Sequence, residues 1–521
     1  MNKIQILWTD DEIDLLKPHI IFLEHKGYQV DTATNGKDAL DSVKKKNYDL
    51  IFLDENMPGL SGLETLEQIK DIDPAVPVVM ITKSEEENIM DQAIGARIND
   101  YLIKPVNPKQ ILLSIKKNID HERLISEKTS MDYQVEFRNL GMRLNEQLNY
   151  QEWVDIYKEL TGWELKIEAS EDSTMDEILK MQKQEASNSF GKFISRNYES
   201  WLKTDKDDKP LMSHQLLKKQ VFPLLKENKK VVFMLIDNLR YDQWKVIQPL
   251  ISRFYHVKSD TMYCTILPTA TQYARNAIFS GLMPSEIHKK YPDLWKNDHE
   301  EGGKNLHEEE MLQSLIQRFF GKEKTSHYEK AFDISYCTKI KEKLHSILHH
   351  DLNAIVVNFV DMMSHARTDM KMIRELTGNE SAYRSLTKSW FQYSPLFDLI
   401  QELAEHDIEL ILTSDHGSIM VQNPVKVIGD RNTTTNLRYK QGKNLDYNPK
   451  EVFEIKDPRK AFLPKSNISS TYIFATGHDY FVYPNNYKHY MNMYKGTLQH
   501  GGISMEEMLV PLIHLSPKPG L

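Results

Sequence analysis

The sequence predicts an α/β protein with a doubly wound domain, a helical module and a second, larger α/β domain. Five short apolar runs alternate with amphipathic segments in the first 120 residues, which indicates a parallel sheet covered by helices. Residues 121–210 are rich in Glu, Lys, Leu and Met, as is typical of helices, and strand-like runs resume after them. Because 521 residues exceed one domain, we predict three domains, at 1–120, 121–210 and 211–521.

The predicted strands are apolar runs bounded by polar residues or proline. In the first domain they are Ile4–Trp8, Tyr28–Ala33, Leu50–Leu53, Val76–Ile81 and Tyr101–Ile103. In the largest domain they are Val231–Ile236, Ala354–Val360 and Glu409–Thr413. Asn107 and Pro108 supply an N-cap and a first-turn proline for a helix. We also expect a break near Thr161-Gly162 in the helical module, and surface loops or an insertion over residues 429–460.

Charge and cysteine content narrow the functional classes. Lys and Arg total 66 and Asp and Glu total 75, so the formal net charge of −9 argues against a nucleic-acid-coating protein. Two cysteines, Cys264 and Cys337, exclude a disulfide framework and a four-cysteine zinc site. We expect no signal peptide in the first residues, and no uncharged apolar stretch approaches ~18 residues. We therefore expect a cytoplasmic protein.

Polar side chains follow four of the strands predicted in the first domain. They are Asp10 and Asp11 after the first strand, Asp54 after the third, Thr82 after the fourth and Lys104 after the fifth. Because the carboxyl ends of parallel strands share one edge of the sheet, these side chains should converge in one crevice. Clustered carboxylates suit Mg²⁺, and a hydroxyl and an ammonium suit the oxygens of a phosphoryl group. Any one of them alone could be a solvated loop residue, but all five together favour such a site.

These residues resemble those of the receiver domain of two-component response regulators, over essentially all of residues 1–120. The matching motifs are the Asp10-Asp11 pair, FLDENMPG with Asp54, MITKS with Thr82 and YLIKP with Lys104. The resemblance implies that a sensor histidine kinase phosphorylates Asp54. It implies that Mg²⁺ is held by Asp10, Asp11, Asp54 and the Asn56 carbonyl. It further implies that Thr82 and Tyr101 form a switch pair and that Lys104 contacts the phosphoryl group.

Four segments of the largest domain carry residues that bind metals. They contain Asp237 in VVFMLIDN, Asp361 and His365 in VVNFVDMMSH, Asp415 and His416 in LILTSDHG, and His500 in LQHGG. Three Asp and three His exceed the four ligands that one zinc ion takes. Two ions with a bridging oxygen fit the count, and paired metals promote in-line phosphoryl displacement. Each residue alone could cap a helix or sit in a turn, but their order and strand-end placement favour two metals.

This order resembles the alkaline phosphatase superfamily over about residues 230–515, in particular its phosphodiesterase and phosphonate-cleaving branch. The segment HGGISMEEMLVPL is similar to the closing motif of PglZ-type domains and of cofactor-independent phosphoglycerate mutases. By this resemblance, one zinc ion is held by Asp361, His365 and His500. The other is held by Asp237, Asp415, His416 and the Thr271 oxygen. The mutases favour Mn²⁺ and a serine nucleophile, so a threonine here points towards zinc and phosphodiesters.

The nucleophile is expected in the hydroxyl-rich turn that leads from Leu267 into a helix. The family's nucleophile opens that helix, which selects Thr271 over Thr269. Arg275 and Asn276 follow one turn later. For these two residues, contact with substrate oxygens and a role on the helix surface are equally open.

The arrangement of receiver, helical connector and PglZ-like domain resembles PorX-type response regulators, which are linked to type IX secretion. The resemblance implies a sensor kinase, and contact with a sigma factor and secretion components. We predict a phosphorylation-controlled dizinc phosphodiesterase that acts on nucleotide or oligonucleotide phosphates. The alternative is a non-enzymatic scaffold for proteins with a structural zinc domain, and a DNA-binding factor ranks third because we find no groove-reading motif.

Phosphorylation is predicted to produce a homodimer. The expected contact is the receiver face made by the fourth helix, the fifth strand and the fifth helix, which mixes acidic and basic residues. These residues are Glu86, Asp91, Arg97, Asp100, Lys109, Lys116 and Lys117. A solvated charged face is the alternative.

Overall fold

The structure is a computed structural model that describes residues 4–519, except for 84–97, 120, 171–172, 204–208, 299, 301, 332–333, 371–372, 374, 376, 431–432 and 466–468. The chain divides into two compact units. The first comprises residues 1–134 and 169–172, and the second comprises residues 135–168 and 173–521. Most of the predicted helical connector therefore packs with the largest α/β domain in one unit. The division into three domains stays a prediction.

The first unit contains a five-stranded parallel sheet, as its alternating pattern predicts. Its strands are β1 (Gln5–Thr9), β2 (Gln29–Ala33), β3 (Leu50–Asp54), β4 (Val78–Thr82) and β5 (Asp100–Ile103). They lie side by side in the order β2-β1-β3-β4-β5. Its helices include α1 (Lys17–His25), α2 (Gly36–Lys45), α3 (Gly62–Ile72) and α4 (Pro108–Ile119). Every residue of β3 and β4 is buried, because helices cover both faces of a parallel sheet.

Capping residues mark where two of these helices begin. Ser61 accepts a hydrogen bond from the backbone of Glu64, whose side chain accepts one from the backbone of Ser61. Asn107 and Gln110 exchange the same pair of hydrogen bonds before α4, which confirms the predicted N-cap. The predicted fourth helix, with Glu86, Asp91 and Arg97, lies outside the described residues.

Three long helices follow the five-stranded sheet in the sequence. They are α5 (His121–Leu144), α6 (Tyr150–Ser170) and α7 (Ser173–Lys203). The predicted break near Thr161-Gly162 is wrong, because α6 continues through both residues. A mid-helix glycine costs about 1 kcal/mol, but α6 buries Trp153, Tyr157 and Leu160, and this burial outweighs that cost.

The second unit is built on a six-stranded mixed sheet. Its strands are β6 (Val231–Ile236), β7 (Tyr255–Cys264), β8 (Ser326–Ala331), β9 (Leu352–Val357), β10 (Glu409–Thr413) and β18 (Leu509–Pro517). They lie in the order β7-β18-β10-β6-β9-β8, with β10, β6, β9 and β8 parallel to one another. The predicted strand Ala354–Val360 is displaced, since β9 begins and ends earlier and Val360 lies in the next helix.

The second unit also contains helices that follow its long connector helices in the sequence. They are α8 (Phe222–Lys226), α9 (Tyr241–Ile251), α10 (Thr271–Ser280), α11 (Pro284–Lys290), α12 (Glu308–Phe320), α13 (Ile334–Glu342), α14 (Leu344–Ile347), α15 (Phe359–Asp369), α16 (Glu380–Gln392), α17 (Pro395–Leu403), α18 (Tyr487–Tyr494) and α19 (Met505–Met508). Short 3₁₀ turns cover Ile13–Leu16, Ser213–Gln215 and Pro458–Ala461, and a π-helical turn covers Leu217–Val221. Within the described ranges, no helix is both long and apolar enough to span a membrane.

Short strands form three small sheets beside the main one. They are β11 (Ile419–Met420), β12 (Asn423–Lys426), β13 (Tyr439–Lys443), β14 (Val452–Ile455), β15 (Ser470–Ala475), β16 (Asp479–Val482) and β17 (Leu498–Gln499). β11 pairs with β17, β12 pairs with β16, and β15 lies between β13 and β14. The expectation of surface loops over 429–460 is therefore wrong for β13 and β14. Tyr439, Lys440 and Gln441 are buried in β13.

Candidate metal centres

An acidic cluster lies at the carboxyl edge of the first sheet. Asp10 directly follows β1 and Asp54 ends β3, and carboxylate oxygens of Asp10, Asp11 and Asp54 lie within 4.8 Å of one another. The Lys104 ammonium lies 2.8 Å from Asp10 and 3.0 Å from Asp54. Burial raises the pKa of Asp54, and the hydrogen bond from Lys104 opposes this rise. No donor in the described chain bonds Asp54 Oδ1, a buried oxygen that fits a divalent cation.

The predicted switch residues lie on neighbouring strands. Thr82 ends β4 and is buried, and Tyr101 in β5 is half-buried. Burial raises the pKa of the Tyr101 phenol, and a hydrogen bond with Thr82 lowers it. Asn56 is exposed in the turn after β3. The roles of all these residues stay predictions.

The six candidate ligands of the second unit form two clusters. We call Asp237, Asp415 and His416 the inner cluster, since all three are buried, and Asp361, His365 and His500 the outer cluster. Within each cluster, one ligand atom from every residue lies within 4.8 Å of the others. The structure thus brings together the same two sets that the family resemblance implied, while their roles as ligands stay predictions.

Strand ends and one helix face position these residues. Asp237 directly follows β6, and Asp415 follows β10 by two residues. Asp361 and His365 are four residues apart in α15, so both side chains lie on one face of that helix. His500 directly follows β17.

Backbone carbonyl groups orient two of the histidines. His500 Nδ1 lies 3.1 Å from the Thr269 carbonyl oxygen, and His416 Nδ1 lies 3.1 Å from the Gly417 carbonyl oxygen. A carbonyl only accepts, so in each ring Nδ1 is the donor and Nε2 is the nitrogen that is left for a metal. Histidines that bind metals typically have this arrangement. The two rings stack with centroids 4.3 Å apart, at the junction of the inner and outer clusters.

The electrostatics of the clusters also fit cations. Burial, and then the neighbouring Asp415 carboxylate, raise the pKa of Asp237 well above its usual range. Burial, and then His416, lower the pKa of His500 to about 3, so its ring is neutral at pH 7. In the described part of the chain, the buried Asp415 Oδ2 accepts no hydrogen bond. A buried carboxylate oxygen that accepts no hydrogen bond, close to a neutral imidazole, is suited to binding a metal.

Thr271 opens α10 next to the inner cluster. Its hydroxyl oxygen lies 3.0 Å from His416 Nε2 and 3.5 Å from Asp237 Oδ1. The Thr269 hydroxyl is instead hydrogen-bonded to the backbone: it donates to the Gly502 carbonyl and accepts from the Gly501 amide. The geometry therefore favours Thr271 over Thr269 as a nucleophile. The amino end of α10 adds a positive partial charge near its oxygen.

Arg275 is buried and paired with acids, so the helix-surface alternative is wrong for it. Its guanidinium lies 2.8 Å from Asp237 Oδ2 and 2.5 Å from Glu308 Oε1. Asn276 is also buried and donates to the Lys304 carbonyl. Arg275 thus holds the inner-cluster residue Asp237 in place. Glu308 was missed by the sequence analysis, since an acidic first turn looks like ordinary helix capping.

A partly buried group of charges joins α6 and α7 to the loops of the inner cluster. We call it the connector charge network, and it comprises Glu164, Glu168, Lys183, Arg240, Asp242, Glu380 and Arg384. Arg384 lies 2.9 Å from Glu164, 2.5 Å from Glu168 and 3.1 Å from Asp242.

Arg240 connects this network to the loop that contains His416. Its guanidinium lies 2.6 Å from Asp242 and donates to the Ser418 carbonyl, two residues after His416. Arg240 itself lies three residues after Asp237. The sequence analysis missed the whole network, because no local pattern distinguishes buried charges from solvated ones.

Three family profiles match successive parts of the chain. The response regulator receiver domain matches residues 6–116, and the PorX response regulator linker domain matches residues 123–202. The BREX system PglZ alkaline phosphatase-like domain matches residues 216–515, which is more than half of the chain. These boundaries follow the change in composition that the sequence shows near residues 120 and 210.

Curated relatives share a shorter segment with this chain. The transcriptional regulatory protein ResD of Bacillus subtilis is 37% identical over 115 residues, 22% of this chain and 48% of ResD. ZraR of Klebsiella oxytoca is 33% identical over 123 residues, 24% of this chain and 28% of ZraR. The chain thus spans about half or less of the length of these two relatives.

Solved structures match about the same share of the chain. A CheY-like receiver domain from Methanospirillum hungatei has 28% identity and a TM-score of 0.23, over 23% of this chain and 96% of that one. A response regulator from Clostridium difficile has 29% identity and a TM-score of 0.22, over 23% of this chain and 97% of that one. With its three matched segments in this order, the chain belongs to the PglZ alkaline phosphatase-like family and has the architecture of a PorX-type response regulator.

Proposed function

We propose that this chain is a response regulator whose phosphorylation on Asp54 controls a zinc-dependent phosphodiesterase acting on nucleotide or oligonucleotide phosphates. One observation carries this proposal. The Thr271 hydroxyl lies 3.0 Å from His416 Nε2 at the amino end of a helix, beside two clusters of acids and histidines. A scaffold that binds proteins needs no such nucleophile, which favours an enzyme over the scaffold alternative.

The residues present fit the predicted metals. Asp361, His365 and His500 would hold one zinc ion, and Asp237, Asp415, His416 and the Thr271 oxygen would hold the other. Asp10, Asp11, Asp54 and the Asn56 carbonyl offer the oxygen ligands that Mg²⁺ prefers. When bound, the zinc ions supply the Lewis acidity that ionises a hydroxyl and stabilises a leaving oxygen.

The chain's own residues then carry two displacements. The Thr271 oxygen gives up its proton and attacks phosphorus in line with the leaving alcohol, which takes up a proton as it departs. The second ester group stays on phosphorus, so the intermediate is a threonyl phosphodiester. Water then attacks the same phosphorus opposite the Thr271 oxygen, which releases a phosphomonoester and restores the hydroxyl. Each displacement inverts the configuration, so hydrolysis retains the configuration at phosphorus. Arg275 is already paired with Asp237 and Glu308, and it therefore positions the inner cluster.

Turnover of bis-p-nitrophenyl phosphate by the full chain tests this function. We expect hydrolysis that a zinc chelator abolishes and that added zinc restores. His500→Ala should lose bound zinc and activity, whereas His256→Ala, at an exposed position in β7, should keep both. Receiver phosphorylation should be intact in both variants. Two tightly bound zinc ions in His500→Ala, or turnover that survives chelation, would contradict the assignment.

The phosphate signal reaches Asp54 from a kinase in the same compartment. We place the chain in the cytoplasm, with a sensor histidine kinase as phosphodonor. A sigma factor and type IX secretion components are included as partners on the resemblance alone. Phosphorylated Asp54 would draw Thr82 inward and let Tyr101 follow, which changes the surface that β5 and α4 form.

Beryllofluoride with Mg²⁺, which mimics the acyl phosphate, should convert the chain from monomer to dimer. In the described part of the predicted contact face, the Asp100 carboxylate already bonds Ser114 Oγ at 2.8 Å and Lys117 Nζ at 3.1 Å. Lys109 and Lys116 are therefore the more available charges for pairing across a two-fold axis. Sedimentation velocity measures the change, with Asp54→Asn as the control. An unchanged monomer would leave the long helices as the relay.

A further inference from the structure

Asn238 is a buried residue that lies between the inner and outer clusters. Its backbone N–H donates to Asp415 Oδ1 of the inner cluster at 3.3 Å. Its side-chain Nδ2 donates to Asp361 Oδ1 of the outer cluster at 3.3 Å. Asn238 is only 1% exposed. A single residue thus contacts one carboxylate from each predicted metal site.

The backbone of Asn238 has an unusual conformation. Its φ angle is +63°, in the left-handed region that residues with a side chain rarely adopt. Glycine would adopt this φ without strain, and asparagine tolerates it better than most other residues. Asn444, which is exposed, has the same type of φ angle. The two hydrogen bonds of Asn238, and not its backbone conformation alone, therefore point to a function for the carboxamide.

The chemistry of the carboxamide fits its two neighbours. Asp361 is a carboxylate that only accepts hydrogen bonds, so the contact at 3.3 Å requires the N–H side of the amide. The donated hydrogen bond fixes one Asp361 oxygen and leaves the other for a metal. Partners that orient metal ligands in this way raise metal affinity. The backbone N–H does the same for Asp415 in the inner cluster.

We propose that Asn238 is a positioning residue that holds one carboxylate ligand of each metal site. Its side chain orients Asp361 for the outer site, and its backbone N–H orients Asp415 for the inner site. This inference rests on the proposed dimetal site and deepens it. The residue acts through the ligands and not through the substrate.

Asn238→Gly separates these two connections. Glycine keeps the left-handed backbone and the N–H to Asp415, and it deletes the bond to Asp361. We expect zinc affinity of the outer cluster to fall by about 10- to 100-fold, with the inner cluster unchanged. Titration of the full chain against a chromophoric chelator measures both affinities. Asn444→Gly is the matched control, because Asn444 is exposed and has a φ angle of +50°.

Two further variants test whether the effect of Asn238 on zinc binding acts through the outer cluster. In a His500→Ala background, which lacks an outer-cluster ligand, Asn238→Gly should leave the affinity of the remaining zinc unchanged. Asn238→Asp retains the shape and tolerates the left-handed backbone, but it loses the N–H donor and should also weaken the outer site. It replaces Asn238→Gly if that variant does not fold.

The zinc affinities and the activity of the wild-type chain distinguish this inference from the proposed function. Equal weakening of both sites, or no weakening, would overturn the positioning role of the side chain. A wild-type chain that binds zinc without phosphodiesterase activity would contradict the proposed function, and the effect of Asn238→Gly on zinc affinity would still be measurable. A wild-type chain that binds no metal would overturn both proposals.

Discussion

Thr271→Val should lower the rate of phosphodiester hydrolysis by about three orders of magnitude or more, since it removes the attacking oxygen. Valine has nearly the shape of threonine, so α10 should still begin at this position. Turnover of bis-p-nitrophenyl phosphate by the full chain, with zinc content measured in parallel, provides the test. The zinc of the inner cluster should bind more weakly, because the Thr271 oxygen is one of its predicted ligands.

Thr271→Ser is the matched control for this prediction. Serine retains a hydroxyl at the start of α10, and we expect it to preserve most of the activity. Thr269→Val is expected to act mainly on structure, because Thr269 bonds the backbone of Gly501 and Gly502 next to His500. Near-normal rates in Thr271→Val together with loss of activity in Thr269→Val would show that Thr269 is the nucleophile.

Arg384→Met should lower the free energy of unfolding of the second unit by roughly 3–5 kcal/mol. Arg384 is buried and lies within 3.1 Å of Glu164, Glu168 and Asp242. Methionine fills much of the same volume but removes the cation that the three carboxylates share. Among the described residues, Asp242 then keeps only Arg240 as an ion-pair partner, and Glu164 keeps only Lys183. Removing one partner of a buried ion pair costs more than the pair itself contributes to stability. Urea unfolding, followed by tryptophan fluorescence, measures the effect.

An exposed ion pair in the same helices gives the control for this variant. Lys180 and Asp176 lie 2.5 Å apart on α7, with side chains 69% and 47% exposed. Lys180→Met should change stability by less than about 0.5 kcal/mol, since exposed helical pairs are weak and screened by salt. Combining Arg384→Met with Glu164→Gln should cost less than the sum of the two changes. If Arg384→Met is as stable as Lys180→Met, the connector charge network does not anchor the long helices.

Much of the fold and both sets of candidate ligands could be predicted because their signals are local. Apolar runs such as Val231–Ile236 and Glu409–Thr413 matched β6 and β10, since strands buried on both faces need continuous apolar side chains. Polar residues that follow such runs lie at the carboxyl edge of a parallel sheet, and this placement does not depend on distant parts of the chain. This is why Asp237 and Asp415 could be placed together before the structure was known.

Glycine and weak periodicity misled the sequence analysis in two places. Gly162 suggested a break, but buried aromatic and aliphatic side chains keep α6 continuous. Residues 429–460 lack a clear period, yet Tyr439–Lys443 and Val452–Ile455 pair with a strand further along the chain. Pairing between strands depends on partners that no local window contains. In both cases, tertiary contacts outweighed the local preference.

By itself, the sequence determined the fold class, the order of the matched segments and which acids and histidines could bind metals. Only the tertiary structure showed that Arg275 is buried between Asp237 and Glu308, and that Asn238 joins the two clusters. It also showed that Arg384 pairs with Glu164, a residue 220 positions away. The physical reason is that a charged or amide side chain can be buried only where partners from distant segments compensate its desolvation. The sequence on either side of such a residue does not identify those partners.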